Sequence, residues 1–156
     1  MKIKRNQKGF TLIEVVLVLA IGGLIFLLAF LAFQQVSTNR RDTQRRNDAN
    51  RVAAELQNYA GDKNGAYPTT DSAFDSFLTD YMAGANDPSR NVAYTRVATL
   101  GNTPGQMKYT YWATAGATPA TAANTFCDGT TLNTAKSWKV EMKLEKGTSC
   151  VDSRYK

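Results

Sequence analysis

The chain has 156 residues, with 43% hydrophobic and 21% charged residues and a formal net charge of +6. It contains no histidine and only two cysteines, which excludes Ser-His-Asp, Cys-His and His-ligated metal chemistry as well as a Cys-rich zinc site. Lys2, Lys4, Arg5 and Lys8 supply +4 of the charge, and residues 10–156 carry 15 Lys and Arg against 13 Asp and Glu. The basic balance therefore belongs largely to the N-terminal tip and is weak evidence for a nucleic-acid partner.

Residues 10–33 are 24 positions of which only Thr11 and Glu14 are polar. As a helix, residues 15–33 span roughly 28 Å, close to the hydrocarbon thickness of a bilayer. A secretory signal peptide has a shorter apolar stretch and a small-x-small cleavage site after it, and neither fits here. The segment reads as a transmembrane helix. Charge alone leaves its orientation open, because Arg40, Arg41, Arg45, Arg46 and Arg51 follow it as four basic residues precede it. The cysteines favour an oxidising exterior for the C-terminal part and a cytoplasmic N-terminus. Glu14 is anomalous. At the bilayer centre a carboxylate costs about 2.5–3.5 kcal/mol, less near the interface, so it is either solvated by headgroups or paired.

Residues 34–60 contain no Gly or Pro, and Ala49, Val52, Ala53, Leu56, Tyr59 and Ala60 recur at spacings of three and four. That stripe predicts an amphipathic continuation of the helix, stopped at Gly61. In the arginine-rich stretch, Asp42 precedes Arg45 and Arg46, and Asp48 precedes Arg51, at ion-pair spacing. With arginines pointing several ways around the helix, a solvated face or subunit contact is favoured over DNA contact. The dense turn chemistry of Asn64-Gly65-Ala66-Tyr67-Pro68 predicts a loop anchored by Tyr67. A short amphipathic helix is expected over residues 73–82, through Phe74, Phe77, Leu78 and Tyr81, and Asp87-Pro88-Ser89 is a turn. Residues 92–97 and 107–113 are β-rich. Trp138, Val140, Met142 and Leu144 alternate with Lys139, Glu141 and Lys143, predicting a strand with one apolar and one wet face. An antiparallel sheet of three or four strands packed on the helical stripe accounts for these segments, so the expected class is α+β. Residues 113–135 hold seven Ala and seven Thr and read as a long surface loop. Cys127 and Cys150 either form a disulfide closing a 24-residue loop, worth about 3 kcal/mol by chain entropy, or remain as buried thiols. Asp62, Asp71, Asp75 and Asp80 are scattered surface acids without a calcium-loop spacing. No catalytic constellation, cofactor or metal site is indicated.

The run Lys8-Gly9-Phe10-Thr11-Leu12-Ile13-Glu14-Val15, with its basic leader and long apolar tail, resembles the processing site of type IV prepilins. The resemblance implies that a prepilin peptidase cuts between Gly9 and Phe10, removing residues 1–9, and methylates the new Phe10 amine. It implies a cytoplasmic leader, an exterior head and a retained helix. Glu14 would pair with the Phe10 amine of a neighbouring subunit during assembly, a cation that exists only after cleavage. Gly22 and Gly23 would be a soft point where the packed helix unwinds; residues 24–33 lack the Pro that the family often has there. The Asn-Gly-x-Tyr-Pro turn at residues 64–68 is similar to one in pilins and in pseudopilins of type II secretion, and a cystine near the C-terminus also fits the pilin pattern. The expected organisation is then leader (1–9), transmembrane and assembly helix (10–33), amphipathic continuation (34–60) and globular head (61–156). The implied partners are the lipid bilayer before assembly, the peptidase, a membrane assembly platform and further copies in a helical filament at the cell surface. Such a subunit serves motility, adhesion or DNA uptake. The alternatives are a secretion or competence pseudopilin and, from another class, a single-pass membrane-anchored binding module.

Overall fold

The computed structural model describes residues 9–112, 125–130 and 136–154. Residues 1–8 of the expected leader lie outside this range, as does most of the Ala/Thr-rich stretch. The chain divides into two compact units, residues 1–39 and 40–156.

The described part of the first unit is almost entirely helix. Helix α1 covers Leu12–Asp62 and is unbroken across Gly22 and Gly23. Within residues 12–36 its large apolar side chains are all exposed. A window of this helix reaches a mean hydropathy of 3.0 with none of it buried. Such a surface is not stable in water, and its length suits a bilayer.

In the second unit α1 becomes amphipathic as the spacing predicts. Ala49, Val52, Ala53, Leu56 and Ala60 are buried along one stripe. The helix runs one residue past Gly61 and closes in a Schellman-type cap. Asn64 takes the left-handed conformation, with φ of 54°, and the Gly65 N–H donates to the Ala60 carbonyl at 2.6 Å. Helix α2, Asp71–Tyr81, begins two residues before the expected start because Thr70 caps it, its hydroxyl accepting from the Ala73 N–H at 3.2 Å.

Four strands follow: β1 (Thr95–Arg96), β2 (Gln106–Trp112), β3 (Ser137–Lys143) and β4 (Thr148–Asp152). They form one sheet in the order β1-β2-β3-β4. The pairs β2–β3 and β3–β4 are antiparallel, in register at Tyr109–Val140 and Val140–Val151. The class is α+β as expected, with two differences in the sheet. The β-rich stretch 92–97 yields only the two-residue β1, which pairs parallel with β2 and makes the sheet mixed. Its first residues are engaged elsewhere. Val92 accepts from the Asp87 N–H at 2.8 Å, Ala93 bridges to Asn86, and Tyr94 is buried with its hydroxyl on Asp48. The C-terminal residues supply β4, which sequence periodicity did not single out.

The core forms where the α1 stripe, α2 and one sheet face meet. Trp138, Val140 and Met142 of β3 and the following Leu144 are fully buried, as are Met107 and Phe74. Phe74 of α2 stacks on Tyr109 of β2 with centroids 4.0 Å apart. Tyr67 lies against Trp138 at 6.0 Å, and the Tyr109 hydroxyl donates to the Pro68 carbonyl at 2.9 Å. The turn after α1 is thus anchored as its residues suggest.

The second sheet face is only partly the wet face that the alternation implies, with Glu141 and Lys143 half-buried. Lys139 is buried there, its Nζ 3.5 Å from a Glu141 oxygen. Across the strand pair stand Asp152 and Cys150. The Cys127–Cys150 disulfide, with Cα atoms 5.7 Å apart, holds residues 125–130 at this part of the head. The Cys127 N–H donates to Asp152 at 3.0 Å, and the Arg154 guanidinium lies 3.9 Å above the Phe126 ring.

One glycine is fixed by space as well as by backbone. Gly105 has φ of +82°, and a Cβ there would collide with the Asp87 carboxylate. Gly84, with φ of +78°, faces open space. Gly105→Ala should destabilise the head by well over about 1 kcal/mol, and Gly84→Ala by less. Thermal melting of the two variants in detergent checks the difference.

Candidate functional site

Gly9, Phe10 and Thr11 precede α1 and are not helical. The reason lies in Thr11 and Glu14. The Thr11 N–H and hydroxyl donate to a Glu14 carboxylate oxygen at 3.2 Å and 3.0 Å, and the Glu14 N–H approaches the Thr11 hydroxyl at 3.4 Å. This is a reciprocal capping box. The Glu14 side chain satisfies the Thr11 N–H, and the Glu14 N–H is shared between the Thr11 hydroxyl and the Thr11 carbonyl, the latter at 3.1 Å. A carboxylate in the first turn also suits the positive end of the helix dipole. Glu14 is therefore neither simply solvated nor unpartnered within its own chain. It sets the first residue of the apolar helix.

The structure thus brings Gly9, Phe10 and Glu14 together at one helix start, with Phe10 88% exposed. Gly22 and Gly23 sit further along the same helix, where a Cβ would meet nothing within 4 Å. Cys127 and Cys150 are joined in the head. Thr11 escaped the reading of single residues, although Thr-x-x-Glu before an apolar run is a signature for it.

A second polar constellation lies in the head. Arg45 is 0% exposed, which overturns a solvated reading of this arginine. Its guanidinium donates through Nε and Nη2 to Asp87 at 2.7 Å and 3.2 Å. It also donates to the Ser89 hydroxyl at 2.8 Å, and to Asp42 and Glu145 at 3.0 Å each. The expected Asp42–Arg45 pair is present but forms part of this larger group. Arg51 approaches Glu55 at 3.9 Å, and Asp48 accepts from Tyr94. Arg41 makes a fork-like pair of bonds with Glu145. Asp42 accepts the Glu145 and Lys146 N–H groups at 2.8 Å and 2.9 Å. Nothing in the local sequence signals that Asp87 and Glu145 converge on Arg45.

These contacts govern titration. Burial alone would raise the Asp87 carboxyl, but the Arg45 and Ser89 hydrogen bonds outweigh it and hold it down to about 2. Arg41 lowers Glu145 to about 2, with burial opposing and Arg45 assisting. Burial disfavours the charged form of Arg45, and its three carboxylate partners more than offset this, so its pKa is raised.

Residues 4–30 match the family model described as the prokaryotic N-terminal methylation motif. Comparison with curated proteins and with solved structures gave no match. The chain carries a type IV prepilin-like signal, and that signal ends within the exposed apolar part of α1. The motif and the apolar helix fit membrane anchoring.

Depressed carboxyl values make the head acid-sensitive. Both groups are lowered from ordinary values of 3.8 and 4.5 to about 2, so the unfolded chain takes up protons first. Their stabilisation is full above the unfolded values and is lost as pH falls through the folded ones. The melting temperature in detergent should hold steady down to about pH 4.5 and decline toward pH 2. Glu145→Gln should make that decline shallower.

Proposed function

We propose that this chain is a structural subunit of a type IV pilus, processed by a prepilin peptidase and polymerised through its N-terminal helix. The carrying observation is a methylation motif over residues 4–30 leading directly into an apolar helix with its large side chains exposed. A bilayer satisfies that surface before assembly, and the apolar helices of neighbouring copies satisfy it afterwards. Its role is assembly and not catalysis.

In this reading the peptidase cuts between Gly9 and Phe10, where the backbone is not helical ahead of the Thr11 cap. Cleavage converts the Phe10 amide into an amine, which the same enzyme methylates. Glu14 then meets the amine of the next subunit. An ion pair in an apolar bundle is stabilising only when both charges are present, so cleavage gates assembly. The head, braced by Cys127–Cys150, faces outward, and an assembly platform in the membrane draws the helix into the filament. Gly22 and Gly23 mark where that helix yields, since each glycine weakens a helix by roughly 1 kcal/mol relative to Ala. Motility, adhesion and DNA uptake are the activities such a fibre serves.

Mass spectrometry of material sheared from intact cells tests the proposal. An abundant chain beginning at methylated Phe10 is the expected result. A processed chain found only in the membrane fraction would instead identify a pseudopilin of a secretion or competence system. An intact Met1 leader in every fraction would overturn processing and leave a membrane-anchored module. Glu14→Ala provides a second readout: the variant should enter the membrane and lose more than about 90% of its sheared fibre, since about 1.4 kcal/mol per contact is already tenfold. An anchor that never polymerises would tolerate this change.

A further inference from the structure

We infer that the end of the head that begins at Arg40 is a collar for an anionic phospholipid surface. Three segments meet there. The Arg45 cluster ties α1 to the loop bearing Asp87 and Ser89 and to the turn bearing Glu145. Arg40, Arg41, Arg45, Arg46, Arg90 and Lys146 stand against Asp42, Asp87 and Glu145, a net excess of three positive charges.

The distribution of these charges matters more than their number. All three carboxylates are turned inward onto Arg45, and Arg45 is itself buried. What remains exposed is cationic: Arg40, Arg46, Arg90 and Lys146. Arg90 lies 3.8 Å from Asp87. No carboxylate among the described residues pairs with Arg40, Arg46 or Lys146. The next acid along α1, Asp48, is under the Tyr94 hydroxyl.

Helix geometry decides the shape of the partner. At about 100° per residue, Arg46 lies roughly 100° around α1 from the core-facing Arg45, and Arg40 about 140° the other way. Arg90 and Lys146 come from the two packed segments. The cations come from three segments and form no single stripe along the helix. A linear polyanion such as DNA is tracked by a stripe or groove, whereas cations spread over several faces suit a broad anionic plane. An anionic membrane is such a plane. Six residues lie between Phe33 and Arg40, at most about 25 Å of chain, so a bilayer holding the apolar segment keeps Arg40 near its surface. Each cation near an anionic surface is worth about fivefold in affinity and is screened beyond a Debye length of roughly 8 Å. The collar would seat the head on the membrane before assembly, and the attraction would have to be released on extraction.

This inference rests on the membrane-anchored state of the proposed function. The test is hydrogen–deuterium exchange of the full chain in nanodiscs of phosphatidylcholine alone or with phosphatidylglycerol. Amides of residues 89–92 and 145–148 should exchange at least about fivefold more slowly in the anionic discs. The difference should vanish at about 1 M salt, where the Debye length is near 3 Å. It should also vanish in Arg40→Gln/Arg46→Gln/Lys146→Gln, whose strand amides stay protected because the Arg45 cluster is untouched. Equal protection in both discs would overturn the proposal. So would protection in neutral discs that grows with the number of chains per disc, which would assign the face to a second copy. Displacement of the anionic-disc protection by an oligonucleotide at matched phosphate would assign it to nucleic acid. Failure of the chain to insert into either disc would overturn the anchored state and the collar with it.

Discussion

The head is organised around one buried guanidinium. Arg45 has five donor N–H groups and no access to water, so it is tolerated only if carboxylates from elsewhere in the chain come to it. They arrive from Asp42 one turn earlier, from Asp87 and from Glu145. Replacing such a group by an apolar one of equal volume is often harmless, whereas removing one partner leaves a buried charge uncompensated. The cluster therefore makes the position of two distant loops conditional on a single side chain of α1. Gly105 has no side chain because the Asp87 carboxylate occupies that space, so the constraint extends into the approach to β2.

The same helix meets opposite demands at its two ends. Its first half has no polar atoms to offer water beyond Thr11 and Glu14, and these are committed to each other. Its second half buries a narrow stripe of small and apolar residues under α2 and the sheet. Under the proposed function, a subunit at home in lipid and then among its own copies needs the first property. A head that remains folded outside the membrane needs the second. The cap at Thr11 separates the apolar helix from a non-helical segment at Gly9 and Phe10, a division that the proposed cleavage there would use.

Pairing of Cys127 with Cys150 adds a covalent constraint to a head of modest size. A cross-link closing a loop of this length is worth about 3 kcal/mol by the chain-entropy estimate. It joins β4 to residues 125–130 on the sheet face away from the α1 stripe, where Asp152 and Arg154 supply further hydrogen bonds. That face is polar and partly covered, and Lys139 is buried on it despite standing at an alternating, nominally wet position.

Sequence alone determined the long helix, its apolar and amphipathic halves, the methylation motif, the loop at residues 64–68 and the principal strand. Each of these is written in local periodicity or in a contiguous motif, and local patterns survive any packing that respects them. Thr11 was legible in the same way, as half of a capping box. The parallel pairing of β1, the strand at Thr148–Asp152 and the burial of Lys139 and Arg45 were decided by tertiary structure. None has a local signature. An arginine flanked by acids at helical spacing reads as a solvated ion pair until Asp87 and Glu145, 42 and 100 residues away, are folded onto it. Burial of a charge depends on desolvation and on partners that only the folded chain assembles.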